Sequence, residues 1–220
     1  MSRFSKTLAS VPVHVAAADT GSFAAARPDE LLPLARAAAE GDPEAGATLV
    51  GAVGGNMLRV VRKVLGRGHP DVDDITQDAV IALLTALMTF RGECSVEHFA
   101  NRIALLTALA ARRRGRLRAR QVAVESESVD EVVSDQASPL ATTVAARRRT
   151  LVRQLLDELP DVIAEALASH FILGYTVDEI AAASSVPANT VWSRLRLGKQ
   201  ALRRKLERDA ELAEMLQVAR

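Results

Sequence analysis

The sequence predicts an all-α protein made of two small helical domains joined by a flexible linker. Hydrophobic residues make up 49% of the 220 positions and aromatic residues only 3%, a mixture that suits helices packed through aliphatic side chains. Apolar residues recur at helical spacing in several segments that short turns separate. Between two groups of such segments lies a serine-rich and acid-rich stretch, residues 121–143, with no basic residue and no clear periodicity.

The first group of segments predicts a compact helical bundle over residues 29–120. Asp29 is expected to cap the first helix, and a second helix is expected from Pro43 towards Leu65. The third segment covers residues 71–90 and has its apolar residues at helical spacing. The fourth covers residues 96–120 and ends in a dense run of arginines.

The second group predicts a smaller helical domain at residues 144–210, followed by a tail at 211–220. Residues 1–28 are interpreted as a flexible amino-terminal extension, because Pro12 and His14 interrupt the apolar stretch that a signal peptide requires. No apolar run approaches the ~20 residues of a membrane span, so no membrane insertion is expected.

Residues 174–206 have the pattern of a helix-turn-helix. Thr176 is placed to cap a short helix whose first turn carries Asp178 and Glu179, charges that favour the positive end of the helix dipole. A break follows at "SSVP", where Ser185 occupies a turn position that is often a left-handed glycine.

The second helix of this motif has two distinct faces. A helical wheel separates an apolar stripe from polar residues that can donate to phosphates and base edges. The stripe contains Val191, Leu195, Leu202 and Leu206, and the polar face contains Asn189, Ser193, Arg196, Gln200 and Arg203. A solvated amphipathic helix without a ligand is the alternative, but the turn, the length and the side-chain types together favour DNA binding in the major groove.

This segment resembles region 4 of bacterial RNA polymerase sigma factors of the extracytoplasmic-function type. That family has an "LP" step, a helix with the pattern S-x-x-E-I-A and a recognition helix opening with T-V-x-S-R-L. The matching residues are Leu159, Pro160, Thr176, Glu179, Ile180, Ala181, Thr190, Val191, Ser193, Arg194 and Leu195.

The first domain resembles region 2 of the same family independently. Region 2 has an acidic D-x-x-Q-(D/E) helix, an F-R-G-E turn and a helix that ends in arginines. The matching residues are Asp74, Gln77, Asp78, Phe90, Arg91, Gly92 and Glu93. The order of the two modules and the acidic linker between them strengthen the resemblance.

The resemblance implies an alternative sigma factor that binds core RNA polymerase and directs promoter-specific transcription initiation. Region 2 would contact core polymerase through Asp73, Asp74, Gln77, Asp78 and Leu84, with Val80 and Leu87 as further apolar surface. It would contact the −10 element through Phe99, Asn101, Arg102, Arg112, Arg113, Arg114 and Arg116. Region 4 would contact the −35 element through Asn189, Thr190, Trp192, Ser193, Arg194, Arg196, Lys199, Gln200 and Arg203. An anti-sigma factor is a further partner that the family implies.

Several positions depart from the family pattern. Phe99 stands where tryptophan is usual and Asn101 where an aromatic residue is usual, and Leu106 and Ala110 stand where Asn and Asp normally follow. Weak promoter melting, or an unusual sequence preference, is therefore expected, because unstacked bases need aromatic partners. Two alternatives stay open: a sigma-like decoy that binds an anti-sigma regulator, and a stand-alone helix-turn-helix regulator.

An enzyme is the weakest interpretation. The four histidines are scattered, Cys94 stands alone, and no phosphate loop, metal spacing or nucleophile–base arrangement occurs, so neither a cofactor nor a metal is expected. Cys94 is interpreted as a small turn residue, and a single cysteine fits a reducing compartment, so the cytoplasm is the expected location.

Overall fold

The computed structural model describes residues 29–125, 153–154 and 156–208, and every helix and turn below belongs to these ranges. The predictions for the extension at 1–28, for residues 126–152, and for the end of the chain after residue 208 lie outside them. Within the described part all regular structure is helical, which confirms the all-α prediction. The α-helices are α1 (Leu32–Ala39), α2 (Pro43–Leu65), α3 (Val72–Ala86), α4 (Val96–Glu125), α5 (Asp161–Ala168), α6 (Val177–Ser184) and α7 (Ala188–Arg208).

Helix α2 is the centre of the first bundle and packs against α1, α3 and α4. Leu49, Val53 and Met57 are spaced one helical turn apart, and at most 1% of each is exposed. Asp42 caps the helix by accepting from the backbone N–H groups of Glu44 (2.9 Å) and Ala45 (3.2 Å). The bundle therefore follows directly from the apolar stripe and the cap that the sequence shows.

Helix α1 begins later than the sequence predicts, at Leu32. Asp29 does not cap it, because its carboxylate is shared between two helix starts. One oxygen accepts from the N–H of Leu31 at 3.1 Å and the other accepts from the N–H of Val96, the first residue of α4, at 2.5 Å. Asp29 therefore fixes the amino-terminal end of α4 against α1.

Helix α4 ends later than the sequence predicts. It continues through Glu125, five residues into the stretch at 121–143 that lacks apolar periodicity. Neither Gly nor Pro occurs between Arg116 and Glu125, and the Ala, Arg, Gln and Glu residues of this segment are good helix formers. Loss of amphipathic periodicity alone is thus not enough to end a helix.

The helix-turn-helix forms as predicted. Thr176 caps α6 in a reciprocal capping box: its hydroxyl accepts from the N–H of Glu179 at 3.3 Å, and the Glu179 carboxylate accepts from the N–H of Thr176 at 2.8 Å. That backbone hydrogen bond is the main reason that the pKa of Glu179 is lowered. The helix ends at Ser185 in the left-handed conformation, with φ 52° and ψ 44°.

Helix α7 approaches α5 closely through a glycine. Val191 and Leu195 of α7 are buried, as the apolar stripe predicts, and Gly198 continues the same face. A Cβ atom at Gly198 would lie 2.5 Å from Cδ1 of Leu167 on α5. Any side chain at position 198 would therefore require α7 and Leu167 of α5 to move apart.

The two groups of helices pack against each other. Helix α4 contacts α5 and α6, and a continuous hydrophobic cluster includes Leu105 and Leu109 of α4 together with Leu156 and Leu159. The helices of the described ranges include none long and apolar enough to cross a membrane.

We predict that Gly198→Ala lowers the free energy of unfolding by about 1–3 kcal/mol, because overpacking against Leu167 outweighs the better helix propensity of alanine. Gly55→Ala is the matched control, since Gly55 lies in α2 and a Cβ atom added there would meet no other atom within 4 Å. This control should stabilise the chain by up to about 1 kcal/mol. Thermal and urea unfolding followed by circular dichroism measure both variants. Equal stability of the two would contradict the close approach.

Candidate polymerase and nucleic-acid interfaces

The predicted polymerase-binding residues lie on the outer surface of α3. Asp73, Asp74 and Gln77 are exposed, Asp78 is half-buried, and the Leu84 side chain is 38% exposed. The aspartates occupy the first turn, where the helix dipole favours negative charge. The result is a surface that is anionic at the start of the helix and apolar farther along.

The apolar part of this surface differs from the sequence prediction. Leu87 is only 3% exposed and belongs to the core, and Val80 is half-buried. Ile81 (55% exposed) and Met88 (76% exposed) form the surface instead. Here the α3 face denotes the exposed or half-buried residues Asp73, Asp74, Gln77, Asp78, Ile81, Leu84 and Met88. The spacing of Asp74, Gln77, Ile81, Leu84 and Met88, alternately three and four residues, was the signal that sequence reasoning missed.

The predicted −35 residues lie on the side of α7 that faces away from α5. Most are exposed, and Thr190 and Arg194 are half-buried. The Trp192 indole is 58% exposed and therefore has no core role. Lys199 places its Nζ atom 5.6 Å from the centre of the Phe171 ring, a cation–π contact with an exposed aromatic residue that sequence reasoning did not select. We call the outer side of α7 the α7 face. It consists of Asn189, Trp192, Ser193, Arg196, Lys199, Gln200 and Arg203.

The predicted −10 residues on α4 are mostly covered, in contrast to the accessible basic surface that the sequence suggests. Of the seven, Arg114 alone is exposed, Asn101 is buried, and the others are half-buried. Phe99 packs on the turn of its own bundle, with its ring centre 4.6 Å from that of Phe90 and an interplanar angle of 34°. The second group of helices covers much of the remainder.

Arg112 contacts the second group of helices through both sides of its guanidinium group. Its Nε atom donates to Oδ1 of Asp157 at 3.0 Å and its Nη2 atom donates to Oδ2 at 2.6 Å, a bidentate pair. The Asp157 side chain is 7% exposed, and Arg116 lies 3.8 Å from the same carboxylate. One nearly buried carboxylate thus engages two arginines of the predicted DNA-binding set.

A second buried carboxylate engages Arg102. Its Nε atom donates to Oε1 of Glu165 at 2.6 Å, and the hydroxyl of Ser184 donates to the same oxygen at 3.1 Å. Glu165 is only 5% exposed although it is charged and lies in α5. Because a buried charge needs a partner, Arg102 is a structural requirement of the second domain in this arrangement.

Arg113 and Asn101 complete the contact. Arg113 donates from Nη2 to the carbonyl oxygen of Leu159 at 3.3 Å and pairs with Asp161; burial lowers the pKa of Arg113. Asn101 donates from Nδ2 to the Tyr175 hydroxyl at 2.8 Å, and burial raises the pKa of that hydroxyl. The Oδ1 atom of Asn101 is buried and has no hydrogen-bond partner in the described part of the chain.

Polar contacts at the rim are more exposed. Lys63 of α2 donates from Nζ to the carbonyl oxygen of Ile172 at 3.1 Å. Ser185, the left-handed residue of the helix-turn-helix, donates from its hydroxyl to Glu93 at 2.8 Å. We call the contacts of Lys63, Glu93, Asn101, Arg102, Arg112, Arg113 and Arg116 with the second group of helices the α4 interface.

Two family models match the chain, one in each group of helices. The description "Sigma-70 region 2" matches residues 49–118, and "Sigma-70, region 4" matches residues 149–202. Together the matches cover more than half of the 220 residues.

Characterised relatives are similar over most of their length. The ECF RNA polymerase sigma-E factor of Escherichia coli is 28% identical over 142 residues, which are 62% of this chain and 74% of that protein. The RNA polymerase sigma-H factor of Pseudomonas aeruginosa is 27% identical over 162 residues, 69% of this chain and 84% of that protein.

Two solved structures are among those to which the chain is similar. CnrH, solved in complex with the cytosolic domain of CnrY, has a TM-score of 0.47 and 23% identity, over 80% of this chain and 97% of that one. The sigma factor RpoE of Bartonella quintana, solved with the anti-sigma factor NepR, has a TM-score of 0.46 and 17% identity, over 79% and 98% of the two chains.

The chain belongs to the sigma-70 family and is an alternative sigma factor of the extracytoplasmic-function type. Sigma factors are transcription initiation factors without an enzymatic activity of their own.

Cys94 lies at the carboxyl side of the F-R-G-E turn and gives a prediction about thiol chemistry. Burial raises the pKa of the Cys94 thiol to about 11. The positive charge of Arg102 opposes this rise, and the carboxylates of Glu93 and Asp29 add to it. The thiol is therefore mostly protonated at pH 8, whereas the species that attacks a disulfide reagent is the thiolate. We predict that Cys94 of the native protein reacts with a disulfide reagent at least about tenfold more slowly than Cys94 of the urea-unfolded chain. Equal reaction rates in the two states would contradict this prediction.

Proposed function

We propose that the chain binds core RNA polymerase through the α3 face, places α4 at the −10 element and places α7 at the −35 element. The observation that carries the proposal is the exposed α3 face on the part of the chain that matches region 2. A decoy or a stand-alone regulator has no need for three separate surfaces suited to three contacts. We place the protein in the cytoplasm, because core polymerase and promoter DNA are its partners; an anti-sigma factor is expected from the family.

The α3 face suits a helical partner that carries basic and apolar residues. Ile81 and Met88 expose apolar area that folding of the chain leaves uncovered, and such residues become the buried centre of an interface. The carboxylates of the first turn would orient a cationic partner and raise the rate of encounter.

The α7 face suits duplex DNA. Arginine, lysine, asparagine and glutamine side chains on one side of a helix provide both phosphate contacts and base contacts in the major groove. Trp192 offers a large apolar surface among them, able to pack on a thymine methyl group or on sugar. Trp192 lies in the first turns of α7, and in helix-turn-helix proteins the first residues of the second helix contact base edges, which supports this role.

In this proposal α4 binds the −10 strand through the charges of its arginines more than through stacking on aromatic side chains. Phe99 is held against Phe90, and Leu106 and Ala110 are half-buried apolar residues, so few groups remain for stacking on unpaired bases. The arginines therefore supply most of the affinity that we propose for the −10 strand, and promoters that melt easily are the expected targets.

Run-off transcription with purified core polymerase and genomic fragments tests the proposed function. We predict specific transcripts from the native chain. Ile81→Asp should reduce affinity for core polymerase about tenfold or more, because it places a charge in the centre of the interface. Ala52→Asp, which also adds one carboxylate to an exposed helix position, is the control and should bind normally. Binding to polymerase without a transcript from any fragment would favour the decoy, and normal binding by Ile81→Asp would contradict the role of the α3 face.

We also predict that the α4 arginines set the salt dependence of promoter binding. In the complex with core polymerase, changing Arg113, Arg114 and Arg116 together to Ala should weaken binding and reduce the slope of log affinity against log salt by up to about 2, since each phosphate contact to a single strand contributes about 0.7. The control changes the exposed Arg59, Arg62 and Arg67 to Ala, with the same loss of charge. Equal slopes of log affinity against log salt for the two variants would show that the α4 arginines do not contact DNA.

A further inference from the structure

One lysine of the α7 face differs from the other lysines of the described ranges in what holds its side chain. Lys63 and Lys205 donate to oxygen atoms of neighbouring residues, at 3.1 Å and 2.5 Å. Lys199 makes no hydrogen bond or ion pair within the described residues, and its Nζ atom lies 5.6 Å from the centre of the Phe171 ring. An aromatic ring, and not an oxygen atom, therefore holds the ammonium group of Lys199.

Phe171 stands beside the α7 face although it belongs to the segment between α5 and α6. The residue is 59% exposed, in a chain of which only 3% of the residues are aromatic. Trp192, which is 58% exposed, precedes Lys199 by seven residues, so these two residues lie on the same side of α7. The contact of Phe171 with Lys199 thus adds a second exposed aromatic residue to this side of the helix.

The backbone holds Phe171 in an unusual conformation. Ser169–Leu173 forms a π-helical turn, a conformation that is rare and often occurs at functional sites. The turn ends at Gly174, which is left-handed with φ 83° and ψ 18°. The N–H of Tyr175 then donates to the carbonyl oxygen of Ser169 at 3.1 Å. These bonds fix the position from which the Phe171 ring projects.

His170 fixes the orientation of the same ring. The two ring centres are 4.7 Å apart with an interplanar angle of 77°, an edge-to-face contact. The Nδ1 atom of His170 lies 2.8 Å from the carbonyl oxygen of Tyr175, and because a carbonyl oxygen only accepts, Nδ1 is the donor. All of these contacts lie within residues 169–199, so none of them depends on the first bundle.

An ammonium group above a ring keeps donors for a ligand. It has three N–H groups, and the face of one ring does not use all of them. A lysine side chain normally loses much rotamer freedom when it binds a phosphate group, which weakens binding. Lys199 loses less of that freedom, because the Phe171 ring already restricts it.

We propose that Phe171 is a positioning residue for DNA binding, whose ring holds the Lys199 ammonium group where its free N–H groups reach a phosphate group of the −35 duplex. The inference rests on the proposed function, because it takes the α7 face to be a DNA-binding surface. Phosphate contacts carry no base-sequence information, so this contact contributes on a duplex of any sequence.

The expected effects differ in size for the two residues. An exposed cation–π contact corresponds to a factor of about two to five in an equilibrium constant. Removing the lysine charge removes the phosphate contact itself, and should therefore also reduce the slope of log affinity against log salt by about 0.9 on duplex DNA.

The test is a double-mutant cycle in the full chain, with a fluorescein-labelled duplex of mixed sequence and about 20 base pairs, or two helical turns. Phe171→Leu removes the ring and keeps an apolar side chain, and Lys199→Met removes the charge and keeps the length of the side chain. We expect Phe171→Leu to weaken binding about two- to fivefold in the native chain, and less than about 1.5-fold in the chain that carries Lys199→Met.

Two controls separate positioning from a general effect on the fold. Phe171→Tyr keeps the ring face and should retain the native affinity within about 1.5-fold. Val162→Ala removes exposed apolar surface from α5, where Val162 is 44% exposed, and should leave the affinity unchanged. Circular dichroism checks that each variant is folded.

A nuclear magnetic resonance signal of Lys199 reports the contact without any change at Phe171. The chain contains four lysines, so ¹³C labelling at the lysine ε position gives few signals, and Lys199→Met assigns one of them. The ring should shift the ε protons of Lys199 upfield in the native chain and in Phe171→Tyr, but not in Phe171→Leu. We expect the upfield shift to persist when the native chain binds the duplex.

The outcomes separate failure of this inference from failure of the proposed function. Equal weakening by Phe171→Leu with and without the lysine, tighter binding by Phe171→Leu, or loss of the upfield shift on the duplex would each overturn the positioning role. If Lys199→Met changes neither affinity nor salt slope while Arg196→Ala with Arg203→Ala lowers both, α7 binds DNA without Lys199 and only this inference falls. If neither variant changes the slope, the proposed role of the α7 face fails as well.

Discussion

The bidentate pair of Arg112 and Asp157 is the constraint on which the arrangement of this sigma factor depends. It joins the arginine-rich helix of the first bundle to the segment that leads into the helix-turn-helix, and the Asp157 side chain is 7% exposed. A carboxylate buried this far requires its partner, because an unpaired buried charge is strongly destabilising. The same guanidinium is one of those for which we propose a contact with promoter DNA.

The contact between α4 and the second bundle explains why the outer faces of α3, α4 and α7 differ in exposure. Helices α3 and α7 face solvent, because within the described ranges their outer residues make no hydrogen bond or ion pair with the other bundle. Helix α4 is buried on several sides, by α2, by α3 and by α5 and α6. The polar face of α4 that we propose for DNA is therefore also the face that contacts the second bundle.

The sequence was sufficient for local structure. The capping box of Thr176, the left-handed Ser185 and the apolar stripe of α7 depend on neighbours within one or two turns, and all of them were predictable. The surface of α3 was predicted less well. Leu87 lies one turn beyond the buried Leu83 and therefore on the core side of the helix, whereas Met88 lies one turn beyond Leu84 on the outer side.

The partners of the arginines could not be predicted. Arg112 and Asp157 are 45 residues apart in the sequence. The sequence does not distinguish an arginine that pairs with a carboxylate from one that binds a phosphate group. Asp157 and Glu165 likewise look like ordinary surface acids of amphipathic helices. Their burial is a property of how the two bundles pack, which periodicity within one helix does not report.

The most direct test of the account is the distance between the two bundles, measured by pulsed electron paramagnetic resonance in the full chain. Spin labels at Arg59→Cys on α2 and Glu207→Cys on α7, with Cys94→Ser, lie at exposed positions of the two bundles. Since α4 and α7 are proposed to bind different promoter elements, the account predicts one short distance in the free protein and a distance longer by tens of ångströms after core polymerase and promoter are added. The same distance in both states, or a broad distribution of long distances in the free protein, would contradict it.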